Sequence, residues 1–209
     1  MSITQLEIIW YSLREKSLAK EPDSIYDICN KVPNKSEILF GKAEDTMSSI
    51  TNLQLEMIQY YSGDPKRIQH FTKVHSYAKL IGSLEQLDAP TLFTLETAAL
   101  VHDIGIKLCE EKYGDCNGKL QEKEGPAIAR EMLEGLSFDP DVIDRVCYLV
   151  GHHHTYSDID GVDYQILVEA DFLVNLYEDQ LSKSACETTL EKIFKTASGS
   201  AICKKMFFL

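Results

Sequence analysis

Paired cysteines, long apolar runs and positive charge are the features that this sequence has little of. Its six cysteines are scattered over 209 residues without a Cys-x-x-Cys pair, which predicts reduced thiols rather than a disulfide framework or a cysteine-based zinc site. No apolar run approaches the roughly 20 residues that span a bilayer. Residues 1–7 also lack the basic start and apolar run of a signal peptide, so we expect a cytoplasmic protein without a membrane partner.

The charge balance argues against one class of partner. The formal net charge is -12 and the sequence pI is about 4.9, whereas proteins that bind nucleic acid polymers need a basic face. We therefore expect no polymeric nucleic acid as a partner. A small phosphorylated substrate is still compatible with this charge, because bound metal ions can supply local positive charge. The sequence leaves the choice between a monomer and a homodimer open.

Apolar residues recur at helical spacing, and no alternating pattern typical of a strand is present. With 44% hydrophobic residues the chain can bury a sizeable core, so we predict an all-α fold built as a compact multi-helix bundle. An amphipathic helix predicted over residues 4–19 belongs to a short N-terminal helical extension, residues 1–45. The bundle itself is predicted to occupy residues 46–209.

Within the bundle the pattern predicts helices separated by short breaks. Their predicted ranges are 50–61, 65–82, 89–102, 125–136, 140–154, 164–177, 187–196 and 201–208. An aspartate followed by a proline, as at Asp64-Pro65 and Asp139-Pro140, is a favourable helix start, because the carboxylate caps free N–H groups and proline fits the first turn. The charged stretch between residues 107 and 124, which contains Gly114, Asn117 and Gly118, is predicted to be an ordered loop or lid.

A histidine and an aspartate stand side by side at His102 and Asp103, after the apolar residues 98–101. Adjacent residues on a helix point about 100° apart and rarely serve one site. Gly105 follows shortly afterwards and is predicted to end the helix, so that both side chains can converge on one cation. Imidazole and carboxylate groups are common ligands of Zn, Fe, Mn and Ni. The other interpretation of the pair is a solvated helix end.

The remaining candidate ligands lie on apolar faces. All six histidines lie between positions 70 and 154. His70 shares a helix face with residues 74 and 78, and His153 continues the apolar stripe of residues 146, 149 and 150, so both are predicted to point inward, as ligands or as core histidines. Asp171 lies in an apolar run, where burial is costly unless the carboxylate is paired or bound to metal. Glu169 is less informative because it can point outward. The candidate ligand set is His70, His102, Asp103, His153 and Asp171.

The order H…HD…H…D, with HDIG at residues 102–105, resembles the HD-domain metal-dependent phosphohydrolases over roughly residues 50–200. The segment Arg67-Ile68-Gln69-His70-Phe71-Thr72-Lys73-Val74 is similar to the R-x-x-H-x-x-x-V opening of that family. The resemblance implies an HD-domain helical bundle with metal ligands at His70, His102, Asp103 and Asp171. The segments around residues 111–114 and 121–126 resemble an uncharacterised bacterial subgroup of the family.

One departure from the family pattern bears on the number of metal ions. Members with two metals commonly have H-x-x-x-G in the middle of the domain, where this chain has Gln121-Glu122-Lys123-Glu124-Gly125. We therefore expect one divalent transition metal ion, which would be Fe, Mn, Co, Ni or Zn. A second ion stays open, because the run His152-His153-His154 offers further imidazoles.

The resemblance implies a metal-dependent hydrolase of a small phosphorylated, nucleotide-like compound. Arg67, one turn before His70, and Lys107, four residues after Asp103, are predicted to contact the phosphate. His152 or His154 is a candidate general acid, and Asp103 takes part in the chemistry as well as in metal binding.

Two alternative functions stay open. The same scaffold resembles the di-iron oxygenases related to myo-inositol oxygenase, and a non-catalytic nucleotide-binding sensor would keep the same site.

Overall fold

The computed structural model describes residues 45–209, and this part of the chain contains nine α-helices and no strand. The all-α prediction is confirmed for these residues. The helices are α1 (Asp45–Tyr60), α2 (Pro65–Leu84), α3 (Ala89–Val101), α4 (Ile106–Tyr113), α5 (Gly118–Gly135), α6 (Pro140–Val150), α7 (Val162–Glu178), α8 (Lys183–Ile193) and α9 (Ala197–Phe207). The predicted helix over residues 4–19 lies outside the described residues, and the domain boundary near residue 45 stays a prediction. Within residues 45–209, no helix combines the length and apolar character that a membrane crossing requires.

Aspartate caps begin three of the helices at the predicted places. The side chains of Asp64, Asp88 and Asp139 accept hydrogen bonds from backbone N–H groups in the first turns of α2, α3 and α6. Each of these helices also has a proline in its first turn, where a missing N–H costs nothing. The local sequence therefore determines where these three helices start.

Helix α3 forms the centre of the bundle. Residues 94–101 are all buried, and α3 packs against α1, α2, α6 and α7. A helix that is apolar on every side must be surrounded by other elements. Because the chain leaves α3 at Val101, the His102-Asp103 pair that follows lies among the helices that surround it.

The predicted loop between residues 107 and 124 is wrong. The structure forms α4 and most of the first half of α5 there, and only residues 114–117 connect the two helices. Asn117 caps α5 through its side chain, which accepts the backbone N–H of Leu120 at 3.1 Å. Pro126 lies inside α5 instead of opening a helix. The charged residues form the exposed faces of two helices, and exposed charge does not distinguish a helix from a loop.

Gly105 holds the turn after α3 against α5. Its backbone is in the ordinary right-handed region (φ -70°, ψ -19°), and the chain re-enters a helix at Ile106. A Cβ atom at Gly105 would lie 3.0 Å from the backbone nitrogen of Gly125 and 3.1 Å from its Cα. The glycine is therefore required by the close approach of two backbones, and not because its conformation ends the helix.

We expect Gly105→Ala to lower the free energy of unfolding by about 1–3 kcal/mol, because two backbone segments must separate to admit the methyl group. Gly135→Ala is the matched control, since a Cβ there meets no atom within 4 Å and alanine favours the helix. Urea unfolding followed by circular dichroism measures both variants. Equal unfolding midpoints for Gly105→Ala and the parent protein would show that α5 can move away without cost.

Candidate metal centre

Four candidate ligands meet where α2, the end of α3 and α7 come together. The Nε2 atom of His70 lies 3.3 Å from His102 Nε2, 3.4 Å from Asp103 Oδ2 and 3.2 Å from Asp171 Oδ1. His102 Nε2 lies 3.5 Å from Asp103 Oδ2 and 3.6 Å from Asp171 Oδ1. Each of the two imidazole nitrogens thus lies close to both carboxylates, although the four groups come from three separate parts of the chain.

His153 approaches the other oxygen of the Asp103 carboxylate. Its Nε2 atom lies 3.4 Å from Asp103 Oδ1, and the residue is only 2% exposed. Among the residues that the structure describes, this Nε2 is the one buried side-chain nitrogen or oxygen without a hydrogen-bond partner. Buried polar atoms are nearly always satisfied, so an orphaned imidazole nitrogen facing a carboxylate fits a bound cation.

The three imidazoles are oriented by their second nitrogen atoms. Each Nδ1 lies beside an oxygen that can accept its proton. The pairs are His102 with Ala99 O at 2.9 Å, His153 with Val150 O at 2.8 Å, and His70 with Glu178 Oε2 at 3.0 Å. A proton on Nδ1 leaves the lone pair on Nε2, which is the atom that faces the cluster. Three imidazole nitrogens with two carboxylates and no thiol are a donor set suited to a divalent transition metal.

The ionisable groups of the centre shift one another strongly. Burial lowers the pKa of His102, but Asp103 and Asp171 outweigh burial and raise this pKa to about 9. Burial likewise lowers the pKa of His70, yet its contact with Asp171 leaves that pKa above its ordinary value. Burial opposes ionisation of both aspartates, but His102 holds the pKa of each carboxyl far below its usual range. A metal ion that binds here must therefore displace protons from imidazoles.

The mutually close ligand atoms form two groups that share Asp103. The first comprises His70, His102 and Asp103, and the second comprises Asp103, His153 and His154. The Nε2 atom of His154 lies 3.2 Å from Gln121 Oε1, which stands where the resemblance leads one to expect a histidine. An amide oxygen accepts a proton from Nε2, and a protonated ring nitrogen cannot bind a metal. Burial, followed by the neighbouring His153, lowers the pKa of His154 to about 4. A neutral His154 lacks the extra proton that its predicted role as general acid needs at neutral pH.

The two residues predicted to contact phosphate, Arg67 and Lys107, form other interactions in the structure. The guanidinium of Arg67 forms ion pairs with Asp64 and, at 2.6 Å, with Glu110 Oε1. The Nζ atom of Lys107 donates to the backbone oxygen of Tyr60 at 3.1 Å and lies 5.0 Å from the centre of its ring. The Arg67 guanidinium is already paired with two carboxylates, and the Lys107 side chain contacts Tyr60 of α1. We therefore do not assign either residue to phosphate binding.

The structure does not bring His152 into either group of ligand atoms. Its ring stacks on Tyr148 with 4.2 Å between the ring centroids, and its Nδ1 lies 2.7 Å from the backbone oxygen of the same tyrosine. The predicted role of His152 as general acid therefore has no support from its position. Of the three consecutive histidines, His153 and His154 are the two that reach the centre.

Two residues that hold the candidate ligands in place are not among the residues predicted from the sequence. Glu178 holds His70, and Asn175 donates to Asp171 Oδ1 at 2.9 Å. The signal was present, because residues 171, 175 and 178 form one face of α7. Glu169, which the sequence allowed to point outward, is instead fully buried, and its Oε1 atom accepts the backbone N–H groups of residues 195 and 196 at 2.6 and 2.8 Å. It anchors the start of α9 and takes no part in the centre.

Comparison with known proteins gives one family and one solved structure. The family described as HD domain matches residues 67–197. The crystal structure of a predicted HD superfamily hydrolase from an uncultured Thermotogales bacterium is 25% identical, with a TM-score of 0.54. The match covers 78% of this chain and 85% of that one. No curated protein matches the chain.

We expect Asp103→Ala to lose most of the bound metal while its helical circular dichroism persists. Asp103 faces both groups of ligand atoms, and even partners outside the ligand shell change metal affinity by about 10- to 100-fold. Metal content of the purified protein, measured by plasma mass spectrometry, is the readout. Asp115→Ala, in the exposed connection between α4 and α5, is the control. Full metal content in Asp103→Ala would remove this residue from the ligand set.

We expect Gln121→His to raise the metal content from about one ion towards two ions per chain. The substitution removes the amide oxygen that holds His154 and adds an imidazole beside the second group of ligand atoms. Gln69→His, at an exposed position of α2, controls for an added histidine. An unchanged stoichiometry after loading with excess Mn²⁺ would mean that Gln121 is not what limits the site to one ion.

Proposed function

The chain belongs to the HD domain family, and we propose that it is a metal-dependent hydrolase of a small phosphorylated, nucleotide-like compound. The observation that carries this proposal is the convergence of three oriented imidazole Nε2 atoms on Asp103 and Asp171. The solved structure that matches the chain is described as a predicted hydrolase of the same superfamily, which supports hydrolysis as the reaction class.

In this proposal His70, His102, Asp103 and Asp171 hold one Fe, Mn, Co, Ni or Zn ion. Such an ion supplies a Lewis acid that neutralises charge on the phosphoryl group and makes water a better nucleophile. The side chain of Asp103 is 20% exposed, whereas those of His70 and Asp171 are 11% and 7% exposed. Substrate and water therefore approach on the Asp103 side, where this carboxylate orients the water by accepting its hydrogen bond.

His153, a candidate ligand in the sequence, has a different role in this one-ion proposal, that of the general base. Its Nδ1 proton is directed to Val150 O, and its Nε2 atom, 3.4 Å from Asp103 Oδ1, receives no hydrogen bond from the described residues. Nε2 is thus free to accept the proton that the attacking water releases, beside Asp103 Oδ1. Neutral His154, held by Gln121, shapes the same wall of the site without carrying an additional proton.

The charge of the chain supports a small substrate in place of a polymer. The net charge of -12 repels a nucleic acid backbone at a distance, while a single phosphate group needs favourable charge only at the metal. The three arginines in residues 45–209 are each ion-paired with carboxylates. They are Arg67, Arg130 and Arg145. We therefore propose that the metal and neutral hydrogen-bond donors, and not an arginine cluster, hold the phosphate.

We expect Mn²⁺, Co²⁺ or Fe²⁺ to restore release of phosphate or pyrophosphate when it is added to metal-free protein with a panel of nucleotides and phosphomonoesters. A colorimetric phosphate assay with pyrophosphatase detects both products. Asp103→Ala should stay inactive at saturating metal, and Asp115→Ala should behave as the parent protein.

The same experiment separates the two alternatives. An oxygenase would consume oxygen without releasing phosphate, and a sensor would bind a nucleotide tightly and return it unchanged. Oxygen uptake, or tight binding without any product across the panel, would contradict the hydrolase proposal.

A further inference from the structure

The segment that connects α6 to α7 passes the metal centre with a fixed backbone. The Oε1 atom of Glu122 accepts the backbone N–H of His154 at 3.0 Å and the hydroxyl of Thr155 at 2.9 Å. From the other side, the hydroxyl of Tyr164 contacts the backbone oxygens of His152 and Thr155. Helices α5 and α7 thus both anchor this turn. The anchored turn therefore fixes the backbone position of the residue that follows it.

That residue is Tyr156, and its partly exposed side chain contacts His154 and Phe172 beside the centre. Its ring packs edge to face on Phe172, with 5.2 Å between the centroids, and Phe172 directly follows the candidate ligand Asp171. Its hydroxyl lies 3.5 Å from His154 Nδ1. Tyr156 is nevertheless 45% exposed. The side chain therefore lies between the solvent and His154, at the edge of the metal centre.

The hydroxyl of Tyr156 keeps its proton. The ordinary pKa of a tyrosine hydroxyl is about 10, so the group is protonated at neutral pH. A protonated hydroxyl is a hydrogen-bond donor, and its nearest acceptor, His154 Nδ1, is at the far limit of hydrogen-bond distance. The proton is thus available to an acceptor that enters the site.

Other donors near the centre are already engaged within the protein. The hydroxyl of Tyr61 donates to the backbone oxygen of Asp103 at 2.8 Å, and Lys73 Nζ donates to Glu178 Oε1 at 2.5 Å. Arg67 is paired with two carboxylates, as described above. A phosphoryl group carries several acceptor oxygens, and a metal ion does not satisfy all of them.

We propose that Tyr156 binds the substrate of this site, its hydroxyl donating a hydrogen bond to a phosphoryl oxygen. The inference rests on the proposed function, since it requires a phosphoryl group at the metal centre. The contact with Phe172 and the anchored turn hold the ring in place before the substrate arrives, so little freedom is lost on binding. Tyr156 is then a determinant of substrate affinity that comes from outside the H…HD…H…D pattern.

The test measures binding of inorganic phosphate to the Mn²⁺-loaded protein by titration calorimetry. Tyr156→Phe removes the hydroxyl and keeps the ring on Phe172. We expect it to weaken phosphate binding about tenfold or more, because the lost hydrogen bond is made to a charged group. Mn²⁺ affinity and the unfolding midpoint should be unchanged. Tyr177→Phe, which removes a tyrosine hydroxyl from a residue that is 64% exposed on α7, is the matched control and should bind phosphate as the parent protein does.

The outcomes separate this inference from the proposed function. Weaker phosphate binding in Tyr156→Phe alone supports the inference. Equal phosphate affinity in the parent protein and Tyr156→Phe overturns it and leaves the proposed function standing. If the Mn²⁺-loaded parent protein does not bind phosphate at all, the proposed function fails and the inference fails with it. Once a substrate is identified, Tyr156→Phe should also lower kcat/KM about tenfold or more.

Discussion

The mutual neutralisation of imidazoles and carboxylates in the interior is the interaction on which this structure depends. The Nε2 atoms of His70 and His102 lie 3.3 Å apart, and each lies within 3.6 Å of both the Asp103 and the Asp171 carboxylate at the junction of α2, α3 and α7. A buried charge without a partner costs several kcal/mol, so none of these side chains can be buried alone. The helices α2, α3 and α7 can therefore pack together only if the side chains of the centre also come together.

The centre uses a simple device to aim its histidines. A helix leaves its last carbonyl groups without intrahelical partners. His102 follows α3 and His153 follows α6, and each directs Nδ1 to a carbonyl three residues earlier in the helix that has just ended. The acceptor that fixes the imidazole thus comes from the helix terminus itself and requires no additional side chain. Only His70, within α2, needs a carboxylate from another helix, which Glu178 supplies.

The limits of the sequence prediction follow from the range of the interactions involved. The helix starts at aspartate and proline depend on neighbours in the chain, and they were predicted. The sequence predicts a loop over 107–124 because exposed charge is common to loops and helices, whereas the structure has two helices there, one of them capped by Asn117. The engagement of Arg67 by Glu110 joins residues 43 positions apart, and the burial of Glu169 depends on the start of α9. Periodicity shows which face a residue occupies, but not which partner the fold brings to it.

The backbone contact between Gly105 and Gly125 also fixes a register. Gly105 lies two residues after Asp103, and Gly125 lies four residues after Gln121. The contact between the two glycines therefore sets the distance between the turn that carries Asp103 and the Gln121 side chain that holds His154. The side chain at position 121 can then vary while the scaffold around it keeps its shape. Because glutamine and histidine codons differ by one base, a lineage with this fold can gain or lose an imidazole beside the centre in a single mutational step.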